Sequence, residues 1–140
     1  MRSKVIIYIS LLLPFLIFSA CGQKGLIGGA GLIINLPTAD AYKLYMENRT
    51  NSQFFVIDVR KPDEYIAGHI PGAANINLYD PDFREKLDSL DKDKIYLVYC
   101  RAGSRSAKAS QIMSDLKFKK IYNMDGGFDT WYGAGYPSEK

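Results

Sequence analysis

A cysteine followed closely by two arginines is the part of this sequence best suited to chemistry. Cys100 is followed by Arg101-Ala102-Gly103-Ser104-Arg105. A free cysteine has a pKa of about 8.5, so only about 3% of it is thiolate at pH 7. Lowering that pKa by about two units requires roughly 2.7 kcal/mol, which a helix N-terminus, two guanidinium groups and the N–H groups of a tight loop can supply together. The segment therefore predicts an activated thiolate beside a cradle for an anion.

The elements on either side of this loop predict its place in the fold. Residues 95–99 are an apolar run rich in β-branched and aromatic residues, which is typical of a buried strand. The segment after Cys100 has apolar residues at helical spacing, namely Ala109, Ile112, Met113 and Leu116. Open α/β sheets bind ligands at the carboxyl ends of their strands, which is where this cysteine stands. A lone cysteine there is usually an ordinary buried residue, but Arg101, Arg105 and a glycine able to adopt positive φ, Gly103, favour a functional one.

Strand-like and helix-like segments alternate along the rest of the chain. Five strands are predicted, at residues 32–36, 54–59, 74–78, 95–99 and 121–124. The helices are predicted at residues 38–48, 62–67 and 80–90, after Cys100, and around Trp131. Thr38 is the expected N-cap of the first helix, and Gly68 is expected to end the second. This alternation predicts an α/β domain with a mostly parallel central sheet of about five strands, flanked by helices.

The first twenty residues have the layout of a secretory signal peptide. Arg2 and Lys4 precede an apolar segment, residues 5–18, whose helical length of about 21 Å is too short for a hydrocarbon core of about 30 Å. Ser19-Ala20 then precede Cys21, an arrangement that resembles the lipobox of bacterial lipoproteins. The resemblance implies cleavage before Cys21 and attachment of lipid to its thiol. The alternative is a secreted protein in which this cysteine is free or disulfide-bonded.

The domain organisation follows from this interpretation. Residues 1–20 are the expected signal peptide, residues 21–31 a Gly-rich tether with the lipidated cysteine, and residues 32–140 the folded domain. Two or three acyl chains would anchor the protein stably, since each buried CH₂ contributes about 0.8 kcal/mol. The expected location is therefore the bacterial cell envelope, outside the cytoplasm. Gly22 is not the Asp that signals inner-membrane retention, so the periplasmic side of the outer membrane is favoured in a cell with two membranes.

Composition excludes several classes of function. Much of the net charge of +3 belongs to the signal, and the mature chain has 16 basic against 15 acidic residues, so no nucleic-acid surface is expected. Two cysteines and one histidine cannot form a disulfide scaffold or a four-ligand zinc site, and Cys100 has no CxxC partner. No metal or organic cofactor is expected. His69 lies in a turn at residues 68–72, where a structural hydrogen bond is predicted rather than a Cys-His catalytic dyad.

Several further motifs follow one another between residues 34 and 137. They are Val56-Ile57-Asp58-Val59-Arg60, Asp63-Glu64-Tyr65, Gly68-His69-Ile70-Pro71-Gly72-Ala73, the Cys100 loop, and Asp125-Gly126-Gly127 followed by Trp131 and Gly135-Tyr136-Pro137. Together they resemble the single-domain rhodanese family. The resemblance implies a three-layer α/β fold. It also implies a sulfurtransferase that takes sulfane sulfur from thiosulfate or a similar donor as a persulfide and passes it to a thiol or cyanide-like acceptor.

The same resemblance implies a role for each residue of the site. Cys100 is the expected nucleophile, the backbone amides of residues 101–105 cradle the persulfide, and Arg105, with Arg101 second, holds the anionic end of the donor. Asp58 and Arg60 are expected near the pocket in a supporting role. The expected partners are a small anionic sulfur donor, a thiol or protein acceptor, and the membrane through the lipid.

Two alternatives remain open from the sequence. The related tyrosine phosphatases and arsenate reductases hold five residues between their cysteine and arginine, whereas four separate Cys100 from Arg105 and position 106 is Ser. The shorter loop favours sulfur chemistry over phosphate chemistry. The second alternative is a tethered binding or redox-sensing module, in which Cys100 is oxidised or accepts a persulfide without turning over.

Overall fold

The computed structural model of the chain describes residues 31–140. Its strands are β1 (Leu32–Pro37), β2 (Phe54–Asp58), β3 (Ala74–Asn75), β4 (Ile95–Tyr99) and β5 (Lys120–Asp125). Its helices are α1 (Thr38–Glu47), α2 (Pro62–Ala67), α3 (Phe83–Asp88), α4 (Ser104–Asp115) and α5 (Gly127–Gly133). The predicted signal peptide and the predicted lipidation of Cys21 lie outside the described residues. Between residues 31 and 140, no helix is long and apolar enough to cross a membrane.

The five strands form one sheet in the order β1-β5-β4-β2-β3, and all four of its strand pairs are parallel. The predicted α/β class and mostly parallel sheet are confirmed. Parallel strands need a crossover between each pair, and the helices supply it. Since every strand runs the same way, the loops that follow β2 and β4 both lie at the carboxyl-terminal end of the sheet. The candidate site is built at that end.

Alternation along the central strand, β4, buries both faces of the sheet. In β4, Tyr96 and Val98 pack with α3 and α4 in one core, while Leu97 and Tyr99 pack with α1 and α5 in the other. Successive side chains of a strand point to opposite faces, so one apolar run serves two cores. Trp131 is fully buried in the second core.

Three local predictions are wrong in detail. The third strand is only Ala74–Asn75 instead of residues 74–78, and the following helix is Phe83–Asp88 instead of residues 80–90. Strand β3 is the edge strand of the sheet and pairs with β2 over only two residues, although Ile76 and Leu78 beyond it still pack against the core. Pro37 rather than Thr38 occupies the N-cap position of α1. The Thr38 hydroxyl donates instead to the carbonyl of Asp125 at 2.6 Å and so joins the start of α1 to the end of β5.

The face that α4 turns to the sheet contains serines as well as apolar residues. Ala109 and Met113 are buried as predicted, but the other buried residues of this helix are Ser106, Ser110 and Ser114. Small side chains let the helix lie close to the strands. The hydroxyl of Ser114 donates to the carbonyl of Gly31 at 2.8 Å and so attaches the start of the described chain to this helix.

Candidate active site

Cys100 lies at the carboxyl end of β4, with only 1% of its surface exposed. The backbone N–H of Gly103 donates a hydrogen bond to its Sγ at 3.1 Å. Gly103 is the N-cap of α4 and has a φ of 104°, the positive φ that the sequence predicted for this turn. The loop therefore curls back on the sulfur and aims the first N–H groups of the helix at it.

The balance of two effects lowers the pKa of the Cys100 thiol below its ordinary value. Burial is the largest effect, and on its own it would raise the pKa because it penalises the charged thiolate. The backbone N–H and hydroxyl of Ser106 and the backbone N–H groups of Gly103 and Ala102 outweigh it by stabilising the thiolate. The Ser106 hydroxyl has a single proton, and the carbonyl of Gly103, at 3.0 Å, is a second acceptor for it.

The start of α5 supports the other side of the loop. The N–H of Phe128 donates to the carbonyl of Cys100 at 2.7 Å, and the N–H of Asp129 donates to the carbonyl of Arg101 at 3.0 Å. Gly127 sits directly against these carbonyls, with a φ of 59°. A Cβ at this position would collide with Arg101 and would lie 2.5 Å from the Cys100 carbonyl oxygen. Two backbones thus meet at a distance that only glycine permits.

Replacing Gly127 with alanine should destabilise the fold by about 2 kcal/mol or more and reduce the reactivity of Cys100, because backbone must shift and the new residue keeps a positive φ. Urea unfolding and the rate of thiol alkylation measure the two effects. The matched control is Gly133→Ala in the same helix, where a Cβ meets nothing within 4 Å and the change should be neutral or slightly stabilising. Equal stability of the two variants would contradict the close approach.

Arg105 forms a two-pronged ion pair with Glu64 of α2. The distances are 2.6 Å from Nη1 to Oε2 and 2.8 Å from Nη2 to Oε1. The hydrogen bond from Arg105 holds the pKa of Glu64 at about 2, against the opposing effect of burial. The same pairing raises the pKa of Arg105, and the nearby charge of Cys100 adds to that increase. The guanidinium therefore lies within electrostatic reach of the sulfur but is already occupied by a carboxylate.

Arg101 also pairs with a carboxylate, but at the surface. Its Nε lies 3.1 Å from Oδ2 of Asp129, and both side chains are more than half exposed. Exposed pairs of this kind contribute about 0 to 1 kcal/mol and break readily. Arg101 is therefore the more mobile of the two loop cations.

Asp58 and Arg60 form a fully buried pair below the loop. Three side-chain hydrogen bonds of 2.6 to 3.0 Å join them, and Arg60 Nη2 also donates to the carbonyl of Gly68 at 2.7 Å. The Arg60 guanidinium lies 4.3 Å from the centre of the Phe128 ring. The N–H of Phe128 in turn donates to the Cys100 carbonyl. The buried pair therefore packs against the residue that hydrogen-bonds the Cys100 loop. Both residues thus lie near the Cys100 loop, where the resemblance led us to expect them.

Two cavities open beside the loop. One, of about 570 Å³, is lined by Arg60, Phe128 and Tyr132 among others, and the second, of about 660 Å³, by Lys61, Tyr79 and Arg105 among others. Glu64 and Arg101 line both, so they stand at the divide between them. A smaller and more apolar cavity of about 250 Å³ lies along β2 and β3 and contains none of the predicted site residues.

The structure brings the predicted site residues of the domain together, with the loop 101–105 around Cys100 and Asp58 and Arg60 beneath it. Ala102 contributes its backbone N–H, and Ser104 begins α4. His69 is buried, and its Nδ1 lies 3.0 Å from the Tyr65 carbonyl, the structural hydrogen bond predicted for it. Among residues 31–140, no group of three or more His, Cys, Asp or Glu side chains is arranged to hold a metal ion.

Sequence reasoning missed four residues that shape the site. Glu64 and Gly127 lie in motifs that the sequence singled out, but their partners were not foreseen. Ser106 was noted only as the residue after the loop. Asp129 gave no signal, since an exposed acid on a short helix has no distinguishing pattern.

Comparison with known proteins finds relatives for the folded domain that carries the Cys100 loop. A family model described as "Rhodanese-like domain" matches residues 38–134. The Bacillus subtilis protein named "Putative sulfurtransferase YtwF" is 37% identical over 87 residues, which cover 62% of this chain and 82% of that protein.

Two of the solved structures that resemble the chain illustrate the shared fold. A crystal structure of a rhodanese-related protein from Thermoplasma volcanium has a TM-score of 0.63 and 36% identity, with 75% of this chain and 96% of that chain covered. The solution structure of a polysulfide-sulfur transferase homodimer from Wolinella succinogenes has a TM-score of 0.62 and 33% identity, with 76% and 78% covered.

Proposed function

Because the chain belongs to the rhodanese-like family, we propose that it is a sulfurtransferase that takes sulfane sulfur from thiosulfate or a similar donor onto Cys100 and passes it to a thiol or cyanide-like acceptor. The observation that carries the proposal is the loop itself. Its N–H groups turn inward on a cysteine whose thiol has a lowered pKa. A thiolate held in this way is the nucleophile that such a transfer needs.

The first half of the proposed reaction balances without any other reactant. The Cys100 thiolate attacks the outer sulfur of thiosulfate, a new S–S bond forms, and the S–S bond of the donor breaks. Its electron pair leaves with sulfite. The persulfide that remains on Cys100 is anionic, and the N–H groups of Ala102, Gly103 and Ser106, which already face the sulfur, stabilise it.

The second half returns the enzyme to its starting state. An acceptor thiolate or cyanide attacks the outer sulfur of the persulfide, and the electron pair of the breaking S–S bond returns to Cys100 as thiolate. A good leaving group is needed at this step, and the same N–H groups that lower the pKa of the thiol make Cys100 one. The same backbone N–H groups thus assist both steps, the transfer of sulfur onto Cys100 and its transfer from Cys100 to the acceptor.

The test is to treat the purified full chain with thiosulfate and follow Cys100 by mass spectrometry. We expect its peptide to gain the mass of one sulfur atom, sulfite to appear in equal amount, and cyanide to remove the added sulfur as thiocyanate. A tethered redox or binding module would not turn over, so it would consume no more than a single equivalent of thiosulfate. Cys100 left unmodified by every sulfane donor tried would contradict the proposal.

We also propose that Cys21 carries a lipid that anchors the protein to the cell envelope, with the domain outside the cytoplasm. The support is the sequence alone, namely the charged start, the apolar segment and the Ser19-Ala20-Cys21 site. Replacing Cys21 with serine should move the protein from the membrane fraction to the soluble fraction. A variant that stays in the membrane fraction would contradict lipidation at this residue.

A further inference from the structure

Both arginines of the Cys100 loop are paired with a carboxylate from another element, but the two pairs differ in strength. The Arg105–Glu64 pair has two short bonds, and the side chains are only 16% and 24% exposed. The Arg101–Asp129 pair has a single contact of 3.1 Å between side chains that are 67% and 57% exposed. Paired, parallel bonds between guanidinium and carboxylate are the strong form of this interaction. Of the two loop arginines, Arg105 is therefore the one that is firmly paired, with Glu64 as its partner.

Glu64 is itself fixed in place. Its Oε2 accepts a hydrogen bond from the backbone N–H of Lys61 at 3.2 Å, at the first turn of α2. Its pKa of about 2 leaves the carboxylate charged at every pH at which a cysteine thiolate reacts. Glu64 therefore stays charged beside Arg105 over the pH range in which Cys100 reacts.

The pairing changes what the mouth of the site offers to a donor. The cavity on the Arg105 side is lined by the cations Lys61, Arg101 and Arg105 and by the acids Asp63 and Glu64. An anion that approaches Arg105 also approaches the Glu64 carboxylate. Coulomb energy is proportional to charge, so this carboxylate opposes a dianion twice as strongly as a monoanion in the same position.

We infer that Glu64 determines donor choice: by neutralising Arg105 it makes Cys100 favour sulfur donors with one negative charge over dianionic thiosulfate. The inference rests on the proposed function, because it concerns the first sulfur transfer to Cys100. Glu64 acts on the donor through Arg105 and is a positioning and charge-setting residue, not a group that reacts.

The effect of donor charge can be measured with two donors that have nearly the same shape and undergo the same sulfur transfer but differ in charge. Thiosulfate is a dianion, and methanethiosulfonate is the monoanion in which a methyl group replaces one oxygen. Attack by the Cys100 thiolate on either donor gives the same persulfide, and the electron pair of the broken S–S bond leaves with sulfite or with methanesulfinate. The ratio of kcat/KM for the two donors therefore reports how the site treats the second charge.

Glu64→Gln keeps the side-chain length and the acceptor for Lys61 but removes the charge. We expect kcat/KM for thiosulfate to rise by about tenfold and that for methanethiosulfonate by about threefold, because the factor for two charges is the square of the factor for one. The gain should lie mainly in KM and should shrink as salt is added. Equal factors for the two donors, or a fall with thiosulfate, would overturn the inference.

Two further variants isolate the pair. Glu47→Gln makes the same substitution at an exposed glutamate at the end of α1, which lines neither cavity beside the loop, and should change the donor ratio much less. Glu64→Gln combined with Arg105→Gln should lose the gain, since no freed guanidinium remains. If the wild-type protein forms no persulfide with either donor, the proposed function fails and the inference with it. If the wild type reacts with both but Glu64→Gln leaves the ratio unchanged, the inference alone fails.

Discussion

Replacing Cys100 with alanine should reduce sulfur transfer from any sulfane donor by about 10³-fold or more, because the proposed nucleophile and the proposed carrier of the persulfide are lost together. Cys100 is the free cysteine of the described domain, so no other thiol there can take over. The measurement is sulfite release in steady state, with the mass of the residue 100 peptide followed in parallel. A rate within tenfold of wild type would show that the sulfur passes elsewhere.

Cys100→Ser is the matched control for loss of structure. Serine keeps the size of the side chain and an acceptor for the Gly103 N–H, so the free energy of unfolding should stay close to that of wild type while activity is lost. In the wild type, alkylation of Cys100 should speed up with pH around a midpoint below the ordinary pKa of a cysteine. The sign follows from the lowered pKa, since the thiolate persists to lower pH and is lost only as the pH falls through that value.

Replacing Asp58 with alanine should lower the free energy of unfolding by about 3–5 kcal/mol. The carboxylate is fully buried, and its partner Arg60 has a side chain that is only 5% exposed. Without Asp58, the guanidinium keeps one hydrogen bond, to the Gly68 carbonyl, and the face of Phe128. A domain with about 5–15 kcal/mol of stability would then be close to unfolding under ordinary conditions. Urea unfolding of the full chain measures the loss.

A double variant separates the charge from the packing. Asp58→Ala with Arg60→Met removes both charges, so it should be less destabilising than the single change, because no unpaired cation stays buried. A single variant that loses less than about 1 kcal/mol would mean that Asp58 does not balance Arg60.

The central elements were predictable because their local pattern and their burial agree. The bounds of β4 and α2 are those expected from an apolar run of five residues and from a proline start with a glycine end. The segment of β3 and α3 was predicted poorly, since it is polar and its strand is set by the Asn75 amide, which donates to the carbonyls of Asp58 and Arg60. Such contacts leave no periodic signal in a sequence.

The site divides in the same way. The loop around Cys100 is local, so its arginines, its glycine and its place after a strand were all visible in the eleven consecutive residues 95–105. The partners of those arginines were not, because Glu64 is 41 residues from Arg105 and Asp129 is 28 residues from Arg101. Only the rotation of α2 and α5 about their axes decides which of their acids meets the loop. The sequence therefore predicts two cations at the site, and the fold decides how much of that charge a donor encounters.

Because the five strands are parallel, the domain has two distinct ends, one where the strands begin and one where they end. Gly31 stands before the first residue of β1, and Cys100 stands after the last residue of β4, so the two lie at opposite ends of strands about 17–20 Å long. If Cys21 holds the protein to a bilayer, the chain enters the domain at the end remote from the sulfur chemistry. We therefore expect the proposed lipid-anchored protein to carry Cys100 at the end of the domain that is farther from its tether.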